Sequence, residues 1–239
     1  MDKLKDDEKK IIAGIEDDLY ALRDAKNAAF LAKLTPDVDA ERILGIKSPV
    51  LRKFAASLRK EGKDQIFMKP LPHRWLDEDQ IHAYLISAMK DMSCMEELER
   101  FLPYASSWPV TDAIRPAVIK KHPKEAEEYL RRWLGSDLPY TVRTAVGLYM
   151  TYYLEDAFDR MQMERIAALN TDHYYVHMAV AWYMATALAK QPEAAMIVLK
   201  ENRLSEETHN RSIQKAIESY RIDDDTKALL RTMKRRKGK

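Results

Sequence analysis

The chain has 239 residues, 46% of them hydrophobic and 33% charged, with 6 glycines, 10 prolines and a single cysteine. That length suits one large domain, and so few glycines favour long amphipathic helices over strands and tight hairpins, while one cysteine excludes an internal disulfide or a cysteine-rich metal centre. The formal net charge of +2 hides an asymmetry: residues 1–100 carry 18 basic and 20 acidic side chains and residues 101–239 carry 22 and 18, so contacts with an anionic partner are expected from the later part of the chain.

No basic-then-apolar leader opens the sequence, and a cytoplasmic location is expected. Proline and polar breaks at Ser48-Pro49, Pro70 to Pro72, Pro103, Trp108-Pro109, His122-Pro123, Leu138-Pro139 and Gln191-Pro192 divide the chain. Most intervals predict one helix of three or four turns. Cys94 stands in no motif and reads as core. At Trp108-Pro109 the proline fixes a helix start, because the residue before it is pushed out of the α region and its missing N–H costs nothing in a first turn. Asp112 follows Trp108 by four residues, which predicts indole and carboxylate on one side of that turn, with the positive end of the helix dipole favouring the anion. Leu138-Pro139 predicts another start, with Arg143 just inside it. Asp137 with Tyr140 recurs 35 residues later as Asp172 with Tyr175, each pair followed by an apolar helix, a spacing near that of helical repeats.

The stretch Ala179 to Ala189 is too short to cross a bilayer. Ile213, Ala216, Ile217 and Tyr220 lie at i, i+3, i+4 and i+7, with Arg211, Lys215 and Glu218 opposite, so one helix with a single buried stripe is expected from about Ser205. Asp223 to Asp225 should end it and open a last helix from Thr226 to about Met233, before a basic tail at residues 234–239 containing Lys234, Arg235, Arg236, Lys237 and Lys239. The expected fold is all-α, a curved solenoid of stacked antiparallel helix pairs.

Trp108, Asp112, Arg143 and Trp182 combine one carboxylate, one permanent cation and two large aromatic faces. Such a set suits a ligand that is anionic along its length and locally cationic at the reacting atom, as alkylated DNA is. A competing reading as metal site rests on His173 and His177, four residues apart, but no HExxH glutamate lies between them and no third ligand is evident. The absence of a P-loop and of GxGxxG argues against a nucleotide cofactor.

The chain resembles the DNA alkylation repair family, the AlkD-like glycosylases built from HEAT-like repeats, from about Ile43 to Arg236. The resemblance rests on Gly45-Ile46-Lys47-Ser48-Pro49-Val50-Leu51-Arg52, Trp108 with Asp112, Arg143 in its proline-led helix, Tyr174 to Trp182, and Ile213 to Arg221. It implies one α-α superhelical domain over residues 1–239, with 1–42 a divergent N-terminal helical region. It also implies a monofunctional enzyme that hydrolyses the N-glycosidic bond of cationic N3- or N7-alkylpurines in double-stranded DNA without flipping the base. Asp112 would be the catalytic carboxylate, Trp108 and Trp182 would flank the deoxyribose, and Arg143 would hold phosphate, with Arg211 and Lys215 as further DNA-binding cations.

Three departures accompany the likeness. Ser107-Trp108-Pro109-Val110-Thr111-Asp112 keeps only the tryptophan and final aspartate of the family's wording, Phe30 stands about where active members carry a DNA-contacting tyrosine, and Leu34 to Arg42 forms a different link into the Gly45-Ile46-Lys47-Ser48-Pro49 segment. A monomer with no metal, no cofactor and no membrane association is expected. The alternatives are a noncatalytic member that binds branched or bent DNA, for which Asp112→Asn would be silent, and a helical scaffold for protein partners, in which Asp112 would be buried or ion-paired.

Overall fold

The computed structural model describes residues 4–235. Helices account for all regular structure among these residues, as the composition requires, and they gather into two compact units that meet in sequence at Val118 and Ile119. The first unit contains α1 (Asp6–Ala21), α2 (Ala25–Leu34), α3 (Ser48–Lys60), α4 (Asp64–Met68), α5 (Leu76–Ser87), α6 (Ser93–Phe101) and α7 (Trp108–Thr111). The second contains α8 (Pro123–Leu134), α9 (Pro139–Tyr152), α10 (Arg160–Ala167), α11 (Tyr174–Lys190), α12 (Pro192–Lys200), α13 (Glu206–Glu218) and α14 (Asp224–Thr232). Among the described residues no helix is long and apolar enough to cross a membrane.

Prolines open α3, α7, α8, α9 and α12 within their first two positions, where a fixed φ and a missing donor are both harmless. Among the helices that no proline opens, short side-chain acceptors cap α2, α13 and α14: Asp24 takes the Asn27 N–H at 3.0 Å, Ser205 the Thr208 N–H at 3.3 Å, and Asp223 the Thr226 N–H at 2.7 Å. Thus α13 begins where Ser205 predicts, while α14 begins at Asp224, two residues before the expected Thr226, because Asp223 is the cap and the next two acids form the first turn.

In the first unit α5 packs against α3, α4, α6 and α7. Ten of its twelve residues are buried, including Asp77, Glu78, Asp79 and Gln80. Three of these polar groups have partners, although one carboxyl oxygen of Asp79 is buried without one. Asp77 accepts the N–H groups of Leu44 and Ile46, each at 2.8 Å, Glu78 accepts that of Trp75 at 2.8 Å, and Asp79 pairs with Arg42 at 3.0 Å. Asp77 and Asp79 therefore fasten the segment between α2 and α3 onto the start of α5, while Glu78 caps the first turn of α5. Gly45 lies in that segment at φ 79°, with its carbonyl taking Asn27 Nδ2 at 2.7 Å.

In the second unit α11 packs against α9, α12 and α13, and α8 packs on α9. Both α9 and α11 are buried on most sides, whereas α8 buries one stripe of Ala126, Leu130, Trp133 and Leu134, so the unit has the layered, neighbour-on-neighbour packing of helical repeats. The sequence echo is visible here: the Tyr140 and Tyr175 rings, at equivalent positions of α9 and α11, meet with centroids 6.1 Å apart. The stripe expected on α13 is cut short. The helix ends at Glu218, Ser219 is extended at ψ 130°, and Tyr220 is 90% exposed instead of buried. Part of the basic tail is docked: Lys234 Nζ bonds Gln214 at 2.7 Å, and Arg235 bonds Asn202 and the Leu204 carbonyl, each at 2.8 Å. Arg236, Lys237 and Lys239 lie outside the described residues.

Candidate functional site

Trp108 and Asp112 line a cleft of about 350 Å³ in the first unit. The other walls come from α2 (Asn27, Leu31), the start of α3 (Lys47, Ser48, Arg52) and α5 (Gln80, Tyr84). Its charged lining groups are two cations, Lys47 and Arg52, and one anion, Asp112. The Arg52 guanidinium lies over the Tyr84 ring, 5.2 Å from its centroid, a geometry that restrains a long side chain at a cleft wall. Trp108 Nε1 donates to the Leu34 carbonyl at 2.9 Å, filling one of the acceptors left open at the C-terminus of α2. That bond sets the plane of the indole.

One expectation for Asp112 fails. The helix that Pro109 opens is a single turn, Trp108–Thr111, and Asp112 is its C-cap, its N–H bonded to the Trp108 carbonyl at 2.9 Å. The four-residue spacing still ties it to Trp108, but the dipole argument does not apply at that end of a turn. The side chain is half-buried and faces the cleft.

Arg143 and Trp182 belong to the second unit. Arg143 is only 3% exposed; its NH1 donates to the Tyr175 carbonyl at 2.7 Å and its guanidinium lies 5.4 Å from the centroid of Trp182. It is therefore held by α11 against the indole. Trp182, half-buried, lines a cleft of about 300 Å³ with Met150, Ala185, Lys215, Tyr220 and Arg221. Lys215 bonds Glu218 at 2.9 Å, and Arg211 bonds Glu207 and lies 4.8 Å from the Tyr174 centroid. Of the two histidines, His177 shares a hydrogen bond of 2.7 Å with Thr208 and His173 packs edge-on against Tyr140. Among the described residues no group of three or more His, Cys, Asp or Glu is arranged to hold a metal ion. Cys94 is buried, and burial pushes its thiol up to about 11, so it is not a nucleophile at neutral pH.

Sequence reasoning missed Asn27, Gln80 and Tyr84 altogether as cleft residues. Lys47 and Arg52 carried a signal, since both stand in the Gly45 to Arg52 motif, yet nothing local says that α2 and α5 fold against it.

Two clefts, each with a tryptophan wall and cationic side chains, are thus built on an all-helical frame, and this is a frame and chemistry for an anionic partner. A family model described as DNA alkylation repair enzyme matches residues 15–220. The chain belongs to that family, and its role lies in DNA repair. Comparison with curated proteins gives no match.

Proposed function

We propose that this protein is an alkylpurine DNA glycosylase acting on double-stranded DNA as a monomer, with no metal or cofactor. The observation that carries the proposal is the Asp112–Trp108 cleft with its Lys47 and Arg52 walls, in a chain of the DNA alkylation repair family. A purine alkylated at N3 or N7 is cationic, so it leaves without prior protonation. The C1′–N bond breaks, its electron pair stays with the base and cancels the base's charge, and positive charge moves to C1′ and the ring oxygen of the sugar. Asp112 stabilises that oxocarbenium ion more than the neutral sugar that precedes it, which lowers the barrier. It also orients the water that adds to C1′, the released proton passing to solvent. Trp108 offers its indole face to the same charge, while Lys47 and Arg52 contact flanking phosphates. On the second unit Trp182, Arg211 and Lys215 act as DNA contacts, and the buried Arg143 holds the Trp182 indole in place.

The test is release of N7- or N3-methylpurine from alkylated duplex by wild type and Asp112→Asn, a substitution that keeps shape and removes charge. Loss of one transition-state electrostatic partner predicts a fall of about 10²- to 10³-fold. Equal rates would remove Asp112 from the mechanism. A second reading, DNA binding without bond cleavage, draws on Phe30, which is 58% exposed on α2 and lacks the hydroxyl that the family resemblance puts there. It predicts no release by the wild type and duplex affinity indifferent to Asp112→Asn.

A further inference from the structure

We propose that the second unit carries a subsite for a single unpaired DNA nucleotide, its base stacked on Tyr220 at the mouth of the Trp182 cleft and its phosphate held by Lys215 and Arg221. The inference rests on the DNA-repair reading above and adds a class of structure that the protein selects. Tyr220 is 90% exposed, more than any other large hydrophobic side chain among the described residues. An aromatic ring left so open forgoes the burial that ordinarily stabilises it.

The local backbone explains how it comes to be presented. With α13 ending at Glu218 and Ser219 extended, the Ser219 Oγ accepts the Arg221 N–H at 3.2 Å, a side-chain turn that fixes the chain around Tyr220. The Arg221 guanidinium lies 6.0 Å from the Tyr220 centroid. A ring and a cation are thus offered together from one short turn.

The cleft beside them fits a nucleotide in size and chemistry. It holds about 300 Å³, is floored by Met150, Ala185 and Trp182, and has Lys215 and Arg221 as its charged lining residues, with no carboxylate among them. Lys215 is tethered by Glu218 at 2.9 Å, which steadies its ammonium while leaving it two further donors. Apolar floor, aromatic flank and cationic rim match a flat base attached to a phosphate. Within an intact duplex both faces of a base are covered by its neighbours, so only a base freed from pairing, as at a bulge, presents a face to stack on the tyrosine.

The experiment compares dissociation constants, at one fixed salt concentration, for a fully paired duplex and for the same duplex with one unpaired adenine. Wild type, Tyr220→Ala and Tyr220→Phe are measured on both. The expected preference of the wild type for the bulged duplex is about tenfold, within the range of one base–aromatic stack. Tyr220→Ala should bring the ratio near one and Tyr220→Phe, which keeps the ring, should retain it. Equal wild-type affinity for the two duplexes, or a preference that survives Tyr220→Ala, overturns the subsite and leaves the DNA-repair reading standing. Failure to bind either duplex overturns both.

Discussion

Gly45→Ala tests whether the close approach of the Gly45 segment to α2 builds the first cleft. A methyl group at this position would lie 2.4 Å from the Ala28 nitrogen, 2.5 Å from the Asp24 carbonyl oxygen and 2.8 Å from the Ala28 Cα, against 3.4 Å or more for ordinary contact. All three are backbone atoms of the first turn of α2, so that turn must withdraw by roughly 1 Å to regain ordinary contact distances. The withdrawal strains the Asp24 N–H bond to the Leu44 carbonyl at 3.0 Å and the Asn27 Nδ2 bond to the Gly45 carbonyl at 2.7 Å. At about 1 kcal/mol net for each bond, with about 1 kcal/mol for alanine at positive φ, the loss comes to about 3 kcal/mol. Gly62→Ala is the control. Gly62 follows α3 at φ 68° with nothing within 4 Å of the added carbon, so it incurs only the backbone cost of about 1 kcal/mol. The gain from a stiffer unfolded chain is common to both variants and cancels. Urea unfolding should therefore separate them by about 2 kcal/mol, or about 1 M in midpoint at a slope of about 2 kcal/mol/M. Equal midpoints for the two variants would refute the packing argument.

Two further outcomes are expected. Burial lifts the Glu78 carboxyl from 4.5 to about 7, against the pull of the Trp75 N–H that it accepts. Because the fold favours the neutral acid, its contribution is fully present below about 4.5, declines as pH rises towards 7 and is flat beyond. Across that window the thermal midpoint of the wild type should fall relative to that of Glu78→Gln, which keeps an acceptor for Trp75; a difference that does not change with pH would refute this. Arg143→Ala should weaken duplex binding at an unchanged salt slope, because its buried guanidinium holds the Trp182 indole, whereas a slope reduced by about one counterion would mean that Arg143 itself contacts phosphate.

Helix starts were legible because proline and short polar caps act within one turn, and Ser205, Pro123, Pro139 and Pro192 each stand at the end they mark. Helix lengths were not. Pro109 opens a helix in the same way, but the turn stops at Thr111, which leaves Asp112 at its C-terminal end. Likewise the apolar spacing that includes Tyr220 says nothing of the extended Ser219 that breaks it. Buried polar groups were the other blind spot. Asp77, Glu78 and Asp79 look like a solvated acidic first turn and are buried because distant N–H groups and Arg42 come to them. Arg143 looks like an open cation near a helix start, yet α11, some thirty residues on, supplies both the carbonyl and the indole that enclose it. Of the candidate site, Trp108 with Asp112 was readable from their four-residue spacing, whereas Arg143 and Trp182 were read with them as one set, and it is α9 packing on α11 that brings Arg143 to Trp182. Asn27 and Gln80 share the first cleft only through tertiary packing.

The Trp108 indole is anchored by a carbonyl of α2, a helix that buries none of its own residues, whereas the other side of the same cleft is α5, enclosed almost throughout. Amide hydrogens of α5 should then exchange with solvent only when the whole unit opens, and those of α2 through a much smaller fluctuation. The indole can accordingly be let go while the rest of its cleft stays assembled, so its orientation is the most easily adjusted part of that wall.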